Sequence, residues 1–236
     1  MSFEYLDRNM QQVREGIRQA EIAAGRKEGS VMLLAAVKYA EPEEIQYLCR
    51  NLGVTDLGEN RVQQLLAHYE GMDSPEHVRW HFIGTLQTNK VKYIIDKVCM
   101  IHSLDSLKLA AEIDRQAKKH GLVMDVLVEI NSGEEESKSG LSPADVEAFC
   151  AQLSDYPNLR LRGFMTMAPK CQNPEEYSQY FQQTYEQVLD IWTKKLHNID
   201  RPILSMGMSE SYAQAIRCGS DIVRIGRRLF LQEESK

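Results

Sequence analysis

Lys38 closes an unbroken apolar run, Val31-Met-Leu-Leu-Ala-Ala-Val, so an amine stands at the end of a stretch fit for burial on both faces. Desolvation at such a place disfavours the ammonium, and a neutral lysine amine attacks carbonyl carbon to form a Schiff base. The plainer alternative is a lysine that snorkels out of the strand end into water. Near the other end of the chain, Ser205-Met-Gly-Met-Ser209 leads into a helix-like stretch, and Val223-Arg-Ile-Gly226-Arg227 lies on a final strand. Ser209 can offer an anion both a hydroxyl and a helix-start N–H, and Gly226 lets the backbone come close. Taken singly, Ser209 is equally an N-cap and Gly226 a turn glycine. Arg224 shares strand parity with Gly226 and should point the same way. Its acceptor is then either a ring nitrogen that lacks a proton or a carboxylate, with Asp56, Glu59, Asp105 and Glu129 as candidates.

Elements must hold these groups together. An amphipathic helix over about residues 3–25, with Tyr5, Leu6, Val13, Ile17, Ala20 and Ile22 to Ala24 as its apolar positions, ends at Gly25. After the Lys38 strand the chain alternates. Strand-like segments at 55–60, 79–84, 98–103, 123–130, 159–167, 202–208 and 222–230 are separated by helical stripes. Pro42, Ser142-Pro143 and Asn173-Pro174 start helices; Gly53 and Gly121 stop them. The longest helix carries Tyr177, Phe181, Tyr185, Val188 and Trp192 at three- and four-residue spacing, a core stripe against the sheet. Strict alternation over about eight strands predicts a single-domain (β/α)8 TIM barrel over residues 1–236 with an extra N-terminal helix, an open doubly wound sheet being the competitor. In such a barrel the chemistry sits at strand C-terminal ends, where Lys38, Asn60, Ile83–Gly84, Ser103, Asn131, Met165, Ser209 and Gly226 fall. Phosphate is frequently held after strands seven and eight. A Schiff-base lysine, a phosphate corner and a ring-facing arginine together describe a pyridoxal 5′-phosphate (PLP) site.

The bulk properties narrow the class further. A net charge of −6 in 236 residues argues against a nucleic-acid or anionic-membrane surface. Five scattered cysteines without a CxxC suit a reducing compartment and offer no metal motif. No signal-like N-terminus and no apolar run long enough to span a bilayer is present, so a cytoplasmic protein is expected.

The motifs Ala36-Val-Lys38-Tyr, Leu57-Gly-Glu-Asn-Arg61, Trp80-His-Phe-Ile-Gly-Thr-Leu-Gln87 with Asn89-Lys90, and His102-Ser-Leu-Asp105 follow in order. So do Asn131 with Glu135-Glu136-Ser-Lys138-Ser-Gly140, Gly163-Phe-Met-Thr-Met167, Ser205-Met-Gly-Met-Ser209 and Val223-Arg-Ile-Gly226. In these the chain resembles the PLP homeostasis proteins of the YggS/PROSC type, which are similar to the barrel domain of alanine racemase (PLP fold type III). The resemblance implies that Lys38 carries PLP as an internal aldimine and that Arg224 lies beside the pyridine nitrogen. It places the phosphate on Ser209 and the Gly226–Arg227 backbone, with Met208 at the same corner, and lines the ring with Asn60, Ile83 and Met165. Three positions depart from the pattern: Arg227 stands where Thr or Ser is common, Ser211 stands where an acid or Asn is common, and Leu231 replaces a glycine. A hydroxyl contact to phosphate is thereby lost, although the N–H at 227 remains.

A racemase needs a second acid/base opposite the lysine. In alanine racemase it comes from an additional β-domain, whereas this chain ends six residues after Phe230. Tyr39 should face away from Lys38 by strand parity. The expected function is therefore to hold, buffer and deliver PLP as a monomer, with transient apo-PLP enzymes as possible recipients. A PLP-dependent amino-acid racemase is the alternative, and a Schiff-base aldolase on sugar phosphates a third reading. The polar stretch Asn131–Gly140 is expected to be a mobile, solvated turn beside the mouth.

Overall fold

The computed structural model describes residues 3–135, 139–194 and 201–232. Eight strands pair in chain order, all parallel: β1 (Met32–Ala36), β2 (Asp56–Glu59), β3 (Arg79–Phe82), β4 (Met100–Leu104), β5 (Met124–Ile130), β6 (Leu159–Thr166), β7 (Ile203–Ser205) and β8 (Ile222–Ile225). The last strand returns to the first, with Leu34 opposite Arg224 and Ala35 opposite Ile225. That pairing closes a (β/α)8 barrel and removes the open-sheet alternative.

Alternation along each strand sorts side chains into two layers. Ala35, Leu57, Phe82, Val126, Phe164 and Val223 point outward into the main core, where the helices cover them. Leu34, Ala36, Ile83 and Ile222 point inward, as do Met100, Leu127 and Met165 on the far side. The covering helices are α2 (Pro42–Leu52), α3 (Val62–Gly71), α4 (Val91–Ile94), α5 (Leu107–His120), α6 (Val146–Gln152), α7 (Pro174–Thr193) and α8 (Tyr212–Arg217), with α1 (Glu4–Ala23) ahead of β1 and α9 (Arg227–Phe230) after β8.

Local chemistry accounts for the helix starts. Asn173 Oδ1 accepts from the Glu176 N–H (2.9 Å) ahead of Pro174, and Ser106 Oγ accepts from the Leu109 N–H (3.3 Å). Glu41 and Glu44 form a capping box before α2. Ser142 makes no such bond; a 3-10 turn, Pro143–Asp145, precedes α6 instead. The stretch expected to continue β8 to Phe230 turns at Gly226 into α9.

The leading helix α1 buries Leu6, Met10, Val13 and Ile17. A Cβ on Gly16 would lie 2.0 Å from the Tyr212 hydroxyl, so any larger residue there would have to displace the Tyr212 ring where α1 seats on α8. Asn9 Nδ2 donates to the Leu229 and Leu231 carbonyls at 3.0 and 2.9 Å. Glu21, buried in the same helix, accepts from the N–H groups of Gly29 (2.9 Å) and Val31 (2.7 Å) and so steers the chain into β1. In α7, Phe181 and Val188 are buried as expected, but Tyr177 and Tyr185 are half-buried and Ile191 takes an inward place. Part of the Asn131–Gly140 turn, residues 136–138, lies outside the described residues.

Candidate cofactor site

A cavity of about 450 Å³ opens at the C-terminal ends of the strands. Its wall takes Lys38 and Tyr39 from beyond β1, Asn60 from beyond β2, Ile83 from beyond β3, and residues 167–170 from beyond β6. Tyr177 of α7, residues 208–211, Arg224, Gly226 and Arg227 complete it. Of the expected site residues, Lys38, Asn60, Ile83, Met208, Ser209, Arg224, Gly226 and Arg227 thus share one cavity.

Met165 does not lie on this wall. It is buried at 1 % exposure one layer down, among Met100 and Leu127, and Met167 takes the wall position. The physical reason is the inward parity of β6: residues 165 and 167 both face in, and the later one is nearer the strand's C-terminal end.

Lys38 sits two residues past the end of β1, and its carbonyl accepts from Gln64 Nε2 at 2.6 Å. The side chain is half-buried at the rim rather than held dry. Its Nζ lies 4.8 Å from the centre of the Tyr39 ring, which is itself 61 % exposed. Tyr39 therefore shares the rim with Lys38 instead of facing away. Strand alternation no longer applies there because β1 has ended and the chain is turning. A cation–π contact at an exposed site contributes about 0.5–1 kcal/mol, enough to bias the amine's position and too little to fix it.

The Asn60 side-chain oxygen is buried with no hydrogen-bond partner among the described residues. Leaving such an acceptor unmet costs about 1–3 kcal/mol, so a ligand donor is its natural complement. Across the cavity, Ser209 is buried and its Oγ accepts from the Arg228 N–H at 3.4 Å. Met208, partly exposed, donates its N–H to Ser211 Oγ at 3.3 Å. A Cβ on Gly226 would stand 2.9 Å from the Ala36 carbonyl oxygen, so the bare glycine lets β8 approach the strand that carries Lys38. The Arg227 guanidinium is at the rim, paired with Glu210 at 2.8 Å; it does not enter the cavity floor.

Arg224 forms that floor. Nη1 donates to the Ser205 carbonyl (2.6 Å) and Ser205 Oγ (2.8 Å), and Nη2 to the Thr166 carbonyl (2.9 Å). None of Asp56, Glu59, Asp105 and Glu129 bonds to it. Glu59 instead meets His68 Nδ1 at 2.6 Å, and Asp56 meets His81 and Arg79. Burial pulls the Arg224 guanidinium down to about 10, with the Glu129 carboxylate opposing through space. Burial likewise pushes Glu129 up to about 7; the Ser139 hydroxyl bond works against this and Asp105 adds to it.

Behind Arg224 runs a line of inward-facing polar side chains that strand patterning did not single out. His102 Nδ1 lies 3.1 Å from Ser205 Oγ, His102 Nε2 lies 2.9 Å from His81 Nδ1, and His81 Nε2 lies 3.0 Å from Asp56 Oδ1. All four residues are buried. A signal was present in the sequence: polar residues at inward parity on strands otherwise apolar. Among the described residues, no group of three or more His, Cys, Asp or Glu side chains is placed to hold a metal ion.

The closed barrel of eight parallel strands places the chain in the (β/α)8 class. The family model described as alanine racemase, N-terminal domain, matches residues 2–233. A pyridoxal phosphate homeostasis protein of Aquifex aeolicus is 43 % identical over 221 residues, covering 94 % of this chain and 95 % of that one. On these matches, the chain belongs to the pyridoxal phosphate homeostasis protein family. Among solved structures, a protein of unknown function from Bifidobacterium adolescentis aligns with a TM-score of 0.90 at 33 % identity, over 97 % of this chain and 95 % of its own. PipY of Synechococcus elongatus, solved with PLP bound, aligns at a TM-score of 0.79 and 28 % identity over 91 % of this chain and all (100 %) of its own.

Proposed function

We propose that this chain binds PLP in the cavity at the barrel mouth, with Lys38 Nζ bonded to the cofactor's aldehyde carbon, and that it buffers and hands on the cofactor with little or no turnover. The observation that carries the reading is that one cavity joins an amine from beyond β1, an orphaned buried acceptor from beyond β2, and a fixed guanidinium and a glycine-cleared corner from the end of β8. The residues fit the group. Its size lies within the ~300–1,000 Å³ of small-molecule sites. Asn60 Oδ1 suits the ring hydroxyl, Arg224 the ring nitrogen, and Ser209 with the Gly226–Arg227 backbone the phosphate. Once bound, PLP supplies an aldehyde that can pass between amines and a ring that can accept electron density.

Arg224 supports the non-catalytic half of the reading. A guanidinium only donates, so a ring nitrogen facing it stays an unprotonated acceptor, which makes the ring a weak electron sink. A carrier that passes cofactor on also needs an accessible amine, and Lys38 is half-exposed at the rim. Recipients are then apo-PLP enzymes in transient contact, and the carrier works as a monomer in the cytoplasm. None of the helices among the described residues is long and apolar enough to cross a membrane.

Adding PLP to the purified protein and trapping with borohydride tests the reading. The expected result is a saturable visible absorbance and a single adduct mapped to Lys38. No saturable absorbance would sink it. One observation favours a second reading, an amino-acid racemase: the Tyr39 phenol shares the rim with Lys38. Racemisation faster than that by free PLP, lost in Tyr39→Phe, would select it.

A further inference from the structure

We propose that Ser205, His102, His81 and Asp56 are positioning residues for the cofactor ring, acting through Arg224 as a hydrogen-bond chain that runs one way, from guanidinium to carboxylate. The inference rests on the PLP reading for what Arg224 faces, and on the barrel interior alone for the chain itself.

Both ends have a fixed sense. Arginine only donates, so Ser205 Oγ accepts from Arg224 Nη1 at 2.8 Å. An ionised carboxylate only accepts, so His81 Nε2 bears the hydrogen aimed at Asp56 Oδ1, 3.0 Å away. Asp56 is held as the anion. Burial would raise its carboxyl, but hydrogen bonds from His81, Arg79 and Thr55 outweigh that and bring it to about 2. Between the ends, His102 is kept neutral, well below the usual imidazole range, first by burial and further by the Arg224 guanidinium. Its one ring hydrogen lies on Nε2 or on Nδ1.

With the hydrogen on Nε2, His102 donates to His81 Nδ1 and accepts the Ser205 hydroxyl at Nδ1. Ser205, His102 and His81 then each accept once and donate once along the chain. With the hydrogen on Nδ1, both nitrogens of His81 must donate, which sets a second cation behind Arg224 in a dry interior. It also leaves the Ser205 hydrogen outside the chain. Desolvation and repulsion select the first arrangement. The groups that face this line are Arg224 from β8, Asp56 from β2, Thr166 from β6, and the Cys99 thiol 3.4 Å from His81 Nε2; Glu129 on β5 acts on Arg224 through space.

The arrangement has a purpose that a direct ion pair would not serve. A carboxylate touching Arg224 would cancel its charge and claim the donors that face the cavity. Here the counter-charge stands three neutral links away, so the guanidinium is fixed in plane while its field still reaches the mouth.

The direction is read by long-range 15N–1H correlation of the histidine rings in the protein without ligand. The expected spectrum has His102 in the Nε2–H form at neutral pH; an Nδ1–H form of His102 overturns the chain. The link to the site is read in Ser205→Ala. Relative to wild type, PLP affinity should fall about tenfold, the loss of one charge-assisted bond, and the absorbance of the bound form should shift. Ser205→Thr, which keeps the hydroxyl, should restore the wild-type spectrum. A Ser205→Ala protein with wild-type affinity and spectrum refutes the positioning role. Should wild type itself take up no PLP, the functional reading fails, and the ligand-free tautomer spectrum tells that failure apart from a failure of the chain.

Discussion

At the scale of single residues, Lys38 and Ser209 carry the functional reading and Glu129 carries a pH dependence. Lys38→Ala should leave no borohydride-stable PLP adduct; an adduct surviving on another lysine would falsify the assignment. Ser209→Ala should weaken PLP binding by about 1–3 kcal/mol, some 5- to 150-fold, as expected for a hydrogen bond to a charged acceptor. Titrating PLP into both proteins checks it, and equal affinities would remove Ser209 from the phosphate corner. Glu129 is raised to about 7 in the folded protein from an ordinary value of 4.5. Between those values the folded chain holds a proton that the unfolded chain releases, so stability falls as pH rises through that window. Glu129→Gln, neutral at every pH, should match wild type near pH 4.5 and exceed it by up to about 3 kcal/mol at pH 8. Urea midpoints at the two pH values decide this; a gain independent of pH would contradict it. Arg224 was legible in the sequence as an inward residue because it lies on a strand of clear parity, and Lys38 as the charged end of an apolar run. Tyr39 was not, because alternation stops where β1 stops.

At the scale of elements, the seam between β8 and β1 sets the site's dimensions. With Gly226 against the Ala36 carbonyl, a side chain there must push the seam apart. Gly226→Ala should cost about 1–3 kcal/mol of stability, the usual range for overpacking. It should reduce PLP affinity as well, since Lys38 and the proposed phosphate corner sit on opposite sides of that seam. Thermal unfolding and PLP titration of the same variant check both, and a variant as stable as wild type would show that the contact relaxes freely. The cap at Asn173 and the proline at position 42 were legible in the sequence, because they act on their own neighbours. The turn from β8 into α9 was not. It depends on Ser209 meeting the Arg228 N–H, a contact nineteen residues apart in the chain. Tyr177 tells the same lesson: helical spacing put it on an apolar stripe, but its place near the start of α7 brings it to the cavity wall.

At the scale of the whole molecule, α1 ties the opening of the chain to its last turn through Asn9, Gly16 and the buried stripe from Leu6 to Ile17. Barrel and helix should therefore unfold together. Far-ultraviolet circular dichroism and tryptophan fluorescence, the latter reporting Trp80 inside the core, are expected to give coincident urea transitions. An early loss of helical signal would show that α1 detaches first. The (β/α)8 architecture was legible because eight apolar runs alternate with capped helices, and parallel order follows from that alternation. The line from Arg224 to Asp56 was hidden for the opposite reason. Its members sit on separate strands far apart in the chain, and only closure sets them a hydrogen bond apart.

The meeting of β1 with β8 also governs when the pocket can exist. The amine is synthesised early and the arginine, the serine hydroxyl and the glycine nearly two hundred residues later. A chain emerging from the ribosome thus displays Lys38 long before the strand that carries Arg224 and leads to Gly226 exists. On the proposed reading, cofactor loading waits for the final strand to slot into place, which makes occupancy a report that the barrel has closed.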